Sequence, residues 1–440
     1  MRNVSVADKL KHNAVTDGLV RRPLPFYGRF RKMLAQLDDA TLEERDLFVR
    51  DAVQRVSRDV AATAYGRGKH GGSELQSWPL LEKEELRRFP QRFFKSGLLP
   101  VSTANTSGTT GTPLKLRRSW KSVVFEQAVL DHLASMRGVD WASARVAVLR
   151  GDTIKDPTDM SPPFWEERQV GRQLAMSCNH LNARTVDSYR EVLEEFNPEL
   201  LWVYPTGLDM LCGLSRKGDF LLPALKLVFS SSEVLGDGVR QSVRRLMNVP
   251  LCDFYGQAER VCASYSFDDA EHYFLAGYGA VELLYSYSDE TSDFYEIIGT
   301  PFWNRAQPLM RYRTGDYARL DKGAGDDVIR AVCLGIAPFR GVAGRSSDYL
   351  VSPEGGHLMG IDHIPRGVPH IVQSQFVQSG SDVEIRVVPA EGFSEAVVQQ
   401  IHRQARLKIP NSMTVRVETV DRLERTARGK APFVIRRGAP

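Results

Sequence analysis

The sequence predicts an α/β protein. A large N-terminal domain carries mainly parallel sheet flanked by helices, plus an antiparallel, barrel-like part; a small α+β domain follows it. Three observations lead there. Between residues 145 and 256, short apolar runs alternate with amphipathic helical stretches, the signature of crossover units covered on both faces. From 280 to 345 the pattern changes to longer antiparallel strands, as in "YGAVELLYSY" and "FYEIIGTP". After a small, polar run, "GVAGRSSD" (341–348), a hairpin, a helix and a strand form a compact tail. The division expected is 1–347 and 348–440, with 1–95 as a mostly helical lead-in.

Each element follows from local pattern. In "DDATLEERDLFVRDAVQRVSRDVAATAYGR" the apolar side chains fall at helical spacing from Leu42 through Phe48, Val53 and Val56. Apolar and threonine-rich runs at 98–103 and 114–117 predict strand–loop–strand, and "WKSVVFEQAVLDHLASMRGV" a helix. Strands are then expected in "RVAVLRG", "LLWVYPT", "LKLVFSSSE" and "VPLCDFYG", with helices in "VDSYREVLEEFNPE", "GLDMLCGLSRKG" and "DGVRQSVRRLMN". In the tail, "HIVQSQFVQSGSDVEIRVVP" is a hairpin turning at Gly380, "SEAVVQQIHRQARLKI" a helix and "MTVRVETV" a strand.

Composition excludes several classes. The chain has 440 residues and a net charge of +4, too near balance to argue for nucleic acid. Its five cysteines lie far apart with no CxxC pair, which argues for a reducing compartment. No apolar leader opens the sequence and no window approaches a membrane span. A cytoplasmic protein with a small-molecule substrate is the expectation.

Five segments carry chemistry. "TSGTTGTP" (106–113) is rich in hydroxyls and bare backbone. It is either a solvent linker or a cradle whose N–H and hydroxyl groups face phosphate oxygens. No GK[ST] follows, so it is not a Walker A loop. In parallel sheets ligands sit beyond the carboxyl ends of the strands, which here carry "YPT", "SSSE" and "FYGQAE". Tyr255 is placed to stack on a base, Gly256 to allow approach, and Glu259 to hold a cation; a capped strand end is the plainer reading. In "MRYRTGDYARL", Asp316 follows Gly315 in a turn expected between strands, where a carboxylate can accept ribose hydroxyls. Arg345 stands at the domain joint and Lys430 follows Gly429 in the basic loop "RTARGK".

Taken in order, "TSGTTGTP", "YPTGL", "SSSEVLG", "FYGQAE", "YRTGD", "GRSSD" and "RTARGK" resemble the adenylate-forming superfamily of acyl-CoA synthetases and adenylation domains. The branch resembled is that of phenylacetate–CoA ligases, coenzyme F390 synthetase-like proteins and CapK. The resemblance spans 106–430. It implies activation of a carboxylate by Mg-ATP, release of pyrophosphate, an acyl-adenylate, and transfer to a thiol such as CoA. It also implies a mobile C-terminal lid. By the same resemblance Thr106, Ser107, Gly108, Thr109, Thr110, Gly111 and Thr112 grip the β- and γ-phosphates. Ser232 and Glu233 border the adenine and Tyr255 stacks on it. Glu259 is the Mg²⁺ ligand, Asp316 binds ribose and Arg345 is its partner on the nucleotide side. Lys430 bridges the attacking carboxylate and the α-phosphate. Trp202, Tyr204, Phe254 and Gly256 are expected near an aromatic or apolar acid, although a core role suits these aromatics as well.

Three departures accompany the resemblance. Leu114 stands where many members carry lysine, with Lys115 next. Ser347, beside Asp348, stands at a hinge position that is usually Asp or Lys. A zinc site borne by some members would fall at Cys262, His272 and Cys333, but the paired-cysteine motif is reduced to "CLG", which favours buried thiols and a surface histidine. Two other readings stay open: an amine or carrier-protein acceptor, and a nucleotide-binding protein without catalysis.

Overall fold

The structure is a computed structural model describing residues 14–67, 69, 72–95, 102–105, 114–150, 154–156, 159–181, 184–216, 218, 220–232, 235, 237–267, 271–288, 291–343, 349–358, 361, 364–365, 368–389, 392–420, 423–424 and 433–437. The lead-in is helical, as the apolar spacing predicts: α1 (Ala14–Arg21), α2 (Phe26–Asp38), α3 (Leu42–Ala61), the single turn α4 (Ala64–Arg67) and α5 (Lys83–Arg88). A reciprocal capping box starts α3, with Thr41 accepting from the Glu44 amide and Glu44 from the Thr41 amide.

The hydroxyl-rich segment lies between β1 (Ser102–Asn105) and β2 (Lys115–Arg118). These pair antiparallel, with Asn105 opposite Lys115, so residues 106–114 are the connection of a hairpin. Helix α6 (Trp120–Ser135) follows at once, capped by Ser119.

The large sheet contains β3 (Val146–Arg150), β4 (Trp165–Arg168), β5 (Gln173–Ser177), β6 (Leu200–Val203), β7 (Leu227–Ser231), β8 (Leu251–Gly256), β9 (Ala263–Phe267) and β10 (Tyr273–Phe274). Its order is β10-β9-β8-β7-β6-β3-β5-β4. The five inner strands, β8 through β5, run parallel; the alternating pattern predicts four of them, and β5 joins them unmarked. Antiparallel strands β4 and β9–β10 extend the two edges. They are short and partly polar. Helices α7 (Val186–Phe196), α8 (Pro205–Gly213) and α9 (Asp237–Met247) pack on one face. Helices α2 and α6 cover the other, where Phe30, Phe125, Phe229 and Phe254 share a core.

Strands β11 (Gly279–Ser288), β12 (Ser292–Pro301), β13 (Tyr312–Asp321) and β14 (Val342–Ala343) form a four-stranded antiparallel sheet, with α10 (Asp326–Cys333) between the last two. A third core joins this sheet to α3, to the segment around Leu81 and to Leu114 and Leu116 of the hairpin. Two glycines let the sheets meet. A Cβ at Gly279 would lie 2.0 Å from the Val261 carbonyl oxygen, and one at Gly299 would lie 2.5 Å from the Val261 side chain.

The C-terminal part begins with the small hairpin β15 (Leu350–Val351) and β16 (His357–Leu358). A mixed sheet follows, of β17 (Ile371–Ser379), β18 (Asp382–Pro389), β19 (Thr414–Thr419) and β20 (Val434–Arg437), in the order β19-β18-β17-β20. The β17–β18 turn is at Gly380, whose φ of +59° suits glycine. Helix α11 (Glu395–Ala405) buries Val397, Ile401 and Ala405 against the core of this domain. Strand β20, unmarked in the sequence, is recruited parallel to β17.

Gly279→Ala is expected to lower stability by about 2–4 kcal/mol, because backbone rather than a yielding side chain meets the new methyl group. Urea unfolding checks this; an unchanged midpoint would mean that the two sheets do not need that close approach.

Candidate active site

The site begins with a topological fact. From β3 the chain passes to β5 on one side, then returns to place β6 on the other. Crevices open at such a switch point beyond the carboxyl ends of the strands. Here those ends are Arg150 on β3, Val203–Tyr204 on β6, Ser231–Ser232 on β7 and Tyr255–Gly256 on β8.

Several predicted residues meet along this edge. The Trp202 indole N–H donates to Ser231 Oγ at 3.0 Å. Ser232 has a φ of +78°, a costly conformation for a residue with a Cβ, and strain of that kind concentrates at functional sites. Arg150 was not anticipated. Its guanidinium lies 4.3 Å from the Trp202 ring centroid and 4.6 Å from that of Tyr204, and Nη2 donates to Ser232 Oγ at 3.1 Å. A cation closing an apolar strand, immediately before Gly151, was the signal available in the sequence. Phe254 is 7% exposed and packs 5.9 Å from Phe229, so its ring belongs chiefly to the core. A Cβ at Gly256 would meet that ring at 3.1 Å, so the glycine leaves room for it.

The hairpin base adjoins the second part of the site. Arg118, at the end of β2, donates from Nη2 to the Ala258 carbonyl at 2.9 Å. The Arg117 amide donates to Gln307 Oε1 at 2.8 Å, and Asn304 donates to the Arg117 carbonyl. Burial lowers the Arg118 pKa to about 10, and the Arg260 charge adds to the fall. The base of the hairpin, at Arg118, therefore adjoins the Gln257–Arg260 turn.

Glu259 occupies that turn, three residues past β8, and is 6% exposed. Tyr312 donates to its Oε1 at 2.7 Å, and Lys83 Nζ stands 3.3 Å from the same oxygen. Burial pushes the carboxyl up, but the Lys83 ammonium and the Tyr312 hydroxyl outweigh it, so Glu259 lies below its ordinary value. Lys83 reaches it because the chain at Leu81 adds to β13: the Leu81 amide donates to the Arg311 carbonyl, and the Arg313 amide to that of Leu81. Spacing along the sequence shows nothing of this contact.

Tyr255 donates to Asp316 Oδ2 at 2.9 Å. Burial, then the Asp316 charge, raises the tyrosine well above its usual value, so it remains a neutral donor. The expected position of Asp316, in a turn between strands, needs correction. It lies within β13, at a bulge where Arg313–Tyr317 oppose only Glu296–Ile298. Gly315, with φ of +73°, allows the bulge, and Thr314 Oγ1 accepts from the Asp316 amide. The rest of the strand stays paired, so the TGD sequence interrupts a strand without ending it.

Other predicted residues lie outside the described ones: Thr106, Ser107, Gly108, Thr109, Thr110, Gly111, Thr112, Glu233, Arg345, Ser347, Asp348 and Lys430. For a divalent cation, Glu259 offers one buried carboxylate with a competing ammonium beside it. That fits an ion held mainly by phosphates and water rather than a cage of protein ligands. Among the described residues no group of three His, Cys, Asp or Glu side chains could hold a metal. The surface position expected for His272 is corrected: it is buried, with Nδ1 3.3 Å from Ser264 Oγ and Nε2 3.4 Å from Asp253, which give its ring polar partners inside the protein. Burial raises the Cys262 and Cys333 thiols to about 12 each. Among the described residues no helix is long and apolar enough to cross a membrane.

Residues 350–437 match the CapK C-terminal domain family. Over 369 residues the chain is 21% identical to protein CapK of Staphylococcus aureus, covering 82% of this chain and 80% of that one. Among solved structures, 2-hydroxyisobutyryl-CoA ligase in complex with 2-HIB-AMP and CoA, in the thioesterification state, aligns over 90% of each chain at 15% identity, with a TM-score of 0.50. The chain is thus similar in sequence to CapK and has the fold of 2-hydroxyisobutyryl-CoA ligase. A postadenylation-state structure of the same ligase, with R3-HIB-AMP, aligns with this CapK-like chain over the same shares and at the same identity, with a TM-score of 0.47.

Because Glu259 ionises more readily folded than unfolded, its stabilisation is present above the usual carboxylate range and is lost as pH falls through its lowered value. Lys83→Met is expected to cost about 1–3 kcal/mol at pH 7. The difference from wild type should begin to shrink near pH 4, as the unfolded chain takes up the proton, and should fall further below it once folded Glu259 is protonated too. Urea unfolding at both pH values measures it; a pH-independent difference would show that Lys83 acts through packing instead.

Proposed function

We propose that this CapK-like protein activates a small carboxylic acid with ATP and transfers the acyl group to a thiol, with CoA as the first acceptor to test. One observation carries the reading. The base of the hydroxyl-rich hairpin, the Tyr255–Glu259 corner and Asp316 lie together: Arg118 bonds Ala258, and Tyr255 bonds Asp316. A nucleotide at the strand ends would have its phosphates toward 106–112, its ribose toward Asp316 and its base toward Tyr255 and the Ser232–Glu233 segment.

The chemistry asks two anions to meet. A carboxylate oxygen of the acid attacks the α-phosphorus, and the bond to the bridging oxygen breaks to release pyrophosphate. A thiolate then attacks the acyl carbon and AMP leaves. Positioning and charge compensation set such barriers, because little covalent work falls to the protein. In this reading Glu259 would hold Mg²⁺ together with the phosphates, and the ion would supply positive charge to the leaving oxygens. Arg345 lies on the nucleotide side. Lys430, delivered by the domain 348–440 turning about the 344–348 joint, sets its charge between the carboxylate and the α-phosphate. Trp202, Tyr204 and Gly256 face the acid.

Lys430→Ala is expected to slow pyrophosphate release at least a hundredfold while ATP binding changes little, since one charge aimed at the transition state is worth about 3–4 kcal/mol. Acid-dependent pyrophosphate release and equilibrium ATP binding read the two halves. Near-normal release by the variant would refute the role. Supplying CoA, a carrier-protein thiol or an amine, and weighing the product, decides the acceptor.

A further inference from the structure

The activation reading assigns Arg150 no role, yet neighbouring side chains hold its guanidinium in place. It ends β3, at the switch point between β3 and β6, and is half-buried. Two rings grip the guanidinium, Trp202 at 4.3 Å and Tyr204 at 4.6 Å. Each described hydrogen bond leaves from Nη2 and reaches a neutral hydroxyl: Ser232 Oγ at 3.1 Å and Tyr204 Oη at 3.5 Å. Nη1 and Nε donate to no described residue.

Several inward arginines of the large domain meet carboxylates, whereas Arg45 and Arg118 donate to backbone carbonyls. Arg240 faces Asp253, Arg260 faces Glu126, Arg311 grips Glu282 and Arg313 grips Glu296. Among the described residues Arg150 meets no carboxylate. Ring contacts fix the plane of a guanidinium but leave its edge free, and that edge is a two-pronged donor suited to an oxyanion. Trp202, which holds it, also donates to Ser231 and so is itself fixed.

We propose that Arg150 is a specificity-determining residue that binds a second oxyanion on the acid, so that the preferred substrate class is a dianionic organic acid. One oxyanion is activated at the α-phosphorus; the other is held at the edge of Arg150. The proposal rests on the acid-activation reading above. The strand-end aromatics then act as the mount of a charged recognition group as well as an apolar wall. The nucleotide phosphates are the competing source of an oxyanion, and the experiment separates the two.

The probes are matched pairs: butyrate with succinate, and benzoate with benzene-1,4-dicarboxylate. Pyrophosphate release is measured for wild type, Arg150→Gln, Arg150→Lys and Arg150→Glu, and thermal shifts are recorded with each acid in the presence of AMP. In wild type, kcat/KM is expected to favour at least one dianionic acid over its partner by tenfold or more. Arg150→Gln should erase that preference, chiefly through the KM for the acid. Arg150→Lys should retain part of it, and Arg150→Glu should invert it. The dianion-dependent thermal shift should vanish in Arg150→Gln.

Equal use of both members of each pair by wild type overturns the proposal. So does a rise in KM for ATP rather than for the acid, which assigns Arg150 to the nucleotide. A fall in the ligand-free melting temperature of Arg150→Gln, with selectivity intact, assigns it to an internal structural pair. If no acid supports pyrophosphate release but dianions still raise the melting temperature through Arg150, the activation reading fails and the oxyanion site stands.

Discussion

A buried carboxylate is tolerable only where donors surround it, and Glu259 meets that condition by drawing on three parts of the chain. Its own turn follows the parallel sheet, Tyr312 belongs to the antiparallel sheet, and Lys83 opens a helix of the lead-in. If any of the three were displaced, a charge would remain without compensation in a core that also holds Tyr65, Trp78 and Leu81. The constraint thus ties the corner of the site to the register of β13 and to the pairing of Leu81 beside Tyr312.

The same demand organises the rest of the site. Reacting two anions requires cations and dipoles held in place beforehand, so that nothing has to reorganise during reaction. Along one edge of the protein the described residues supply Lys83 beside Glu259, Arg118 beside the hairpin and Arg150 beside Trp202 and Tyr204. Each is braced by a different device: an ion pair, a carbonyl, and a pair of rings. The Tyr255–Asp316 bond joins the two sheets across the middle of this edge. Asp316 reaches it because a glycine lets β13 bulge without losing its pairing on either side.

The C-terminal domain has its own core, built from α11 and the mixed sheet. It touches the large domain through a small hairpin: a Cβ on Gly356 would come within 3.3 Å of the Leu181 carbonyl oxygen. Tyr349 adds a second contact: it packs against the core under α7 and α8, while its ring lies 4.0 Å from the Arg436 guanidinium and its carbonyl accepts from Arg436 Nη1. A domain with a core of its own keeps its fold independently of its neighbour.

By itself the sequence determined the class of fold, the parallel centre of the large sheet, the hairpin around the hydroxyl-rich loop and most helices. These depend on periodicity and turn residues, which act over a few neighbours. It also marked Tyr255, Glu259 and Asp316, because they sit in short motifs at strand ends and turns. Tertiary structure alone decided that β4, β9, β10 and β20 join as edge or added strands, for their pairing depends on a partner already in place. It alone decided that TGD is a bulge, that Lys83 faces Glu259, and that Arg150 lies between two rings. Each of these is a contact across tens to hundreds of residues. Local preference is silent about such contacts, because chain separation carries no information about distance once the core has closed.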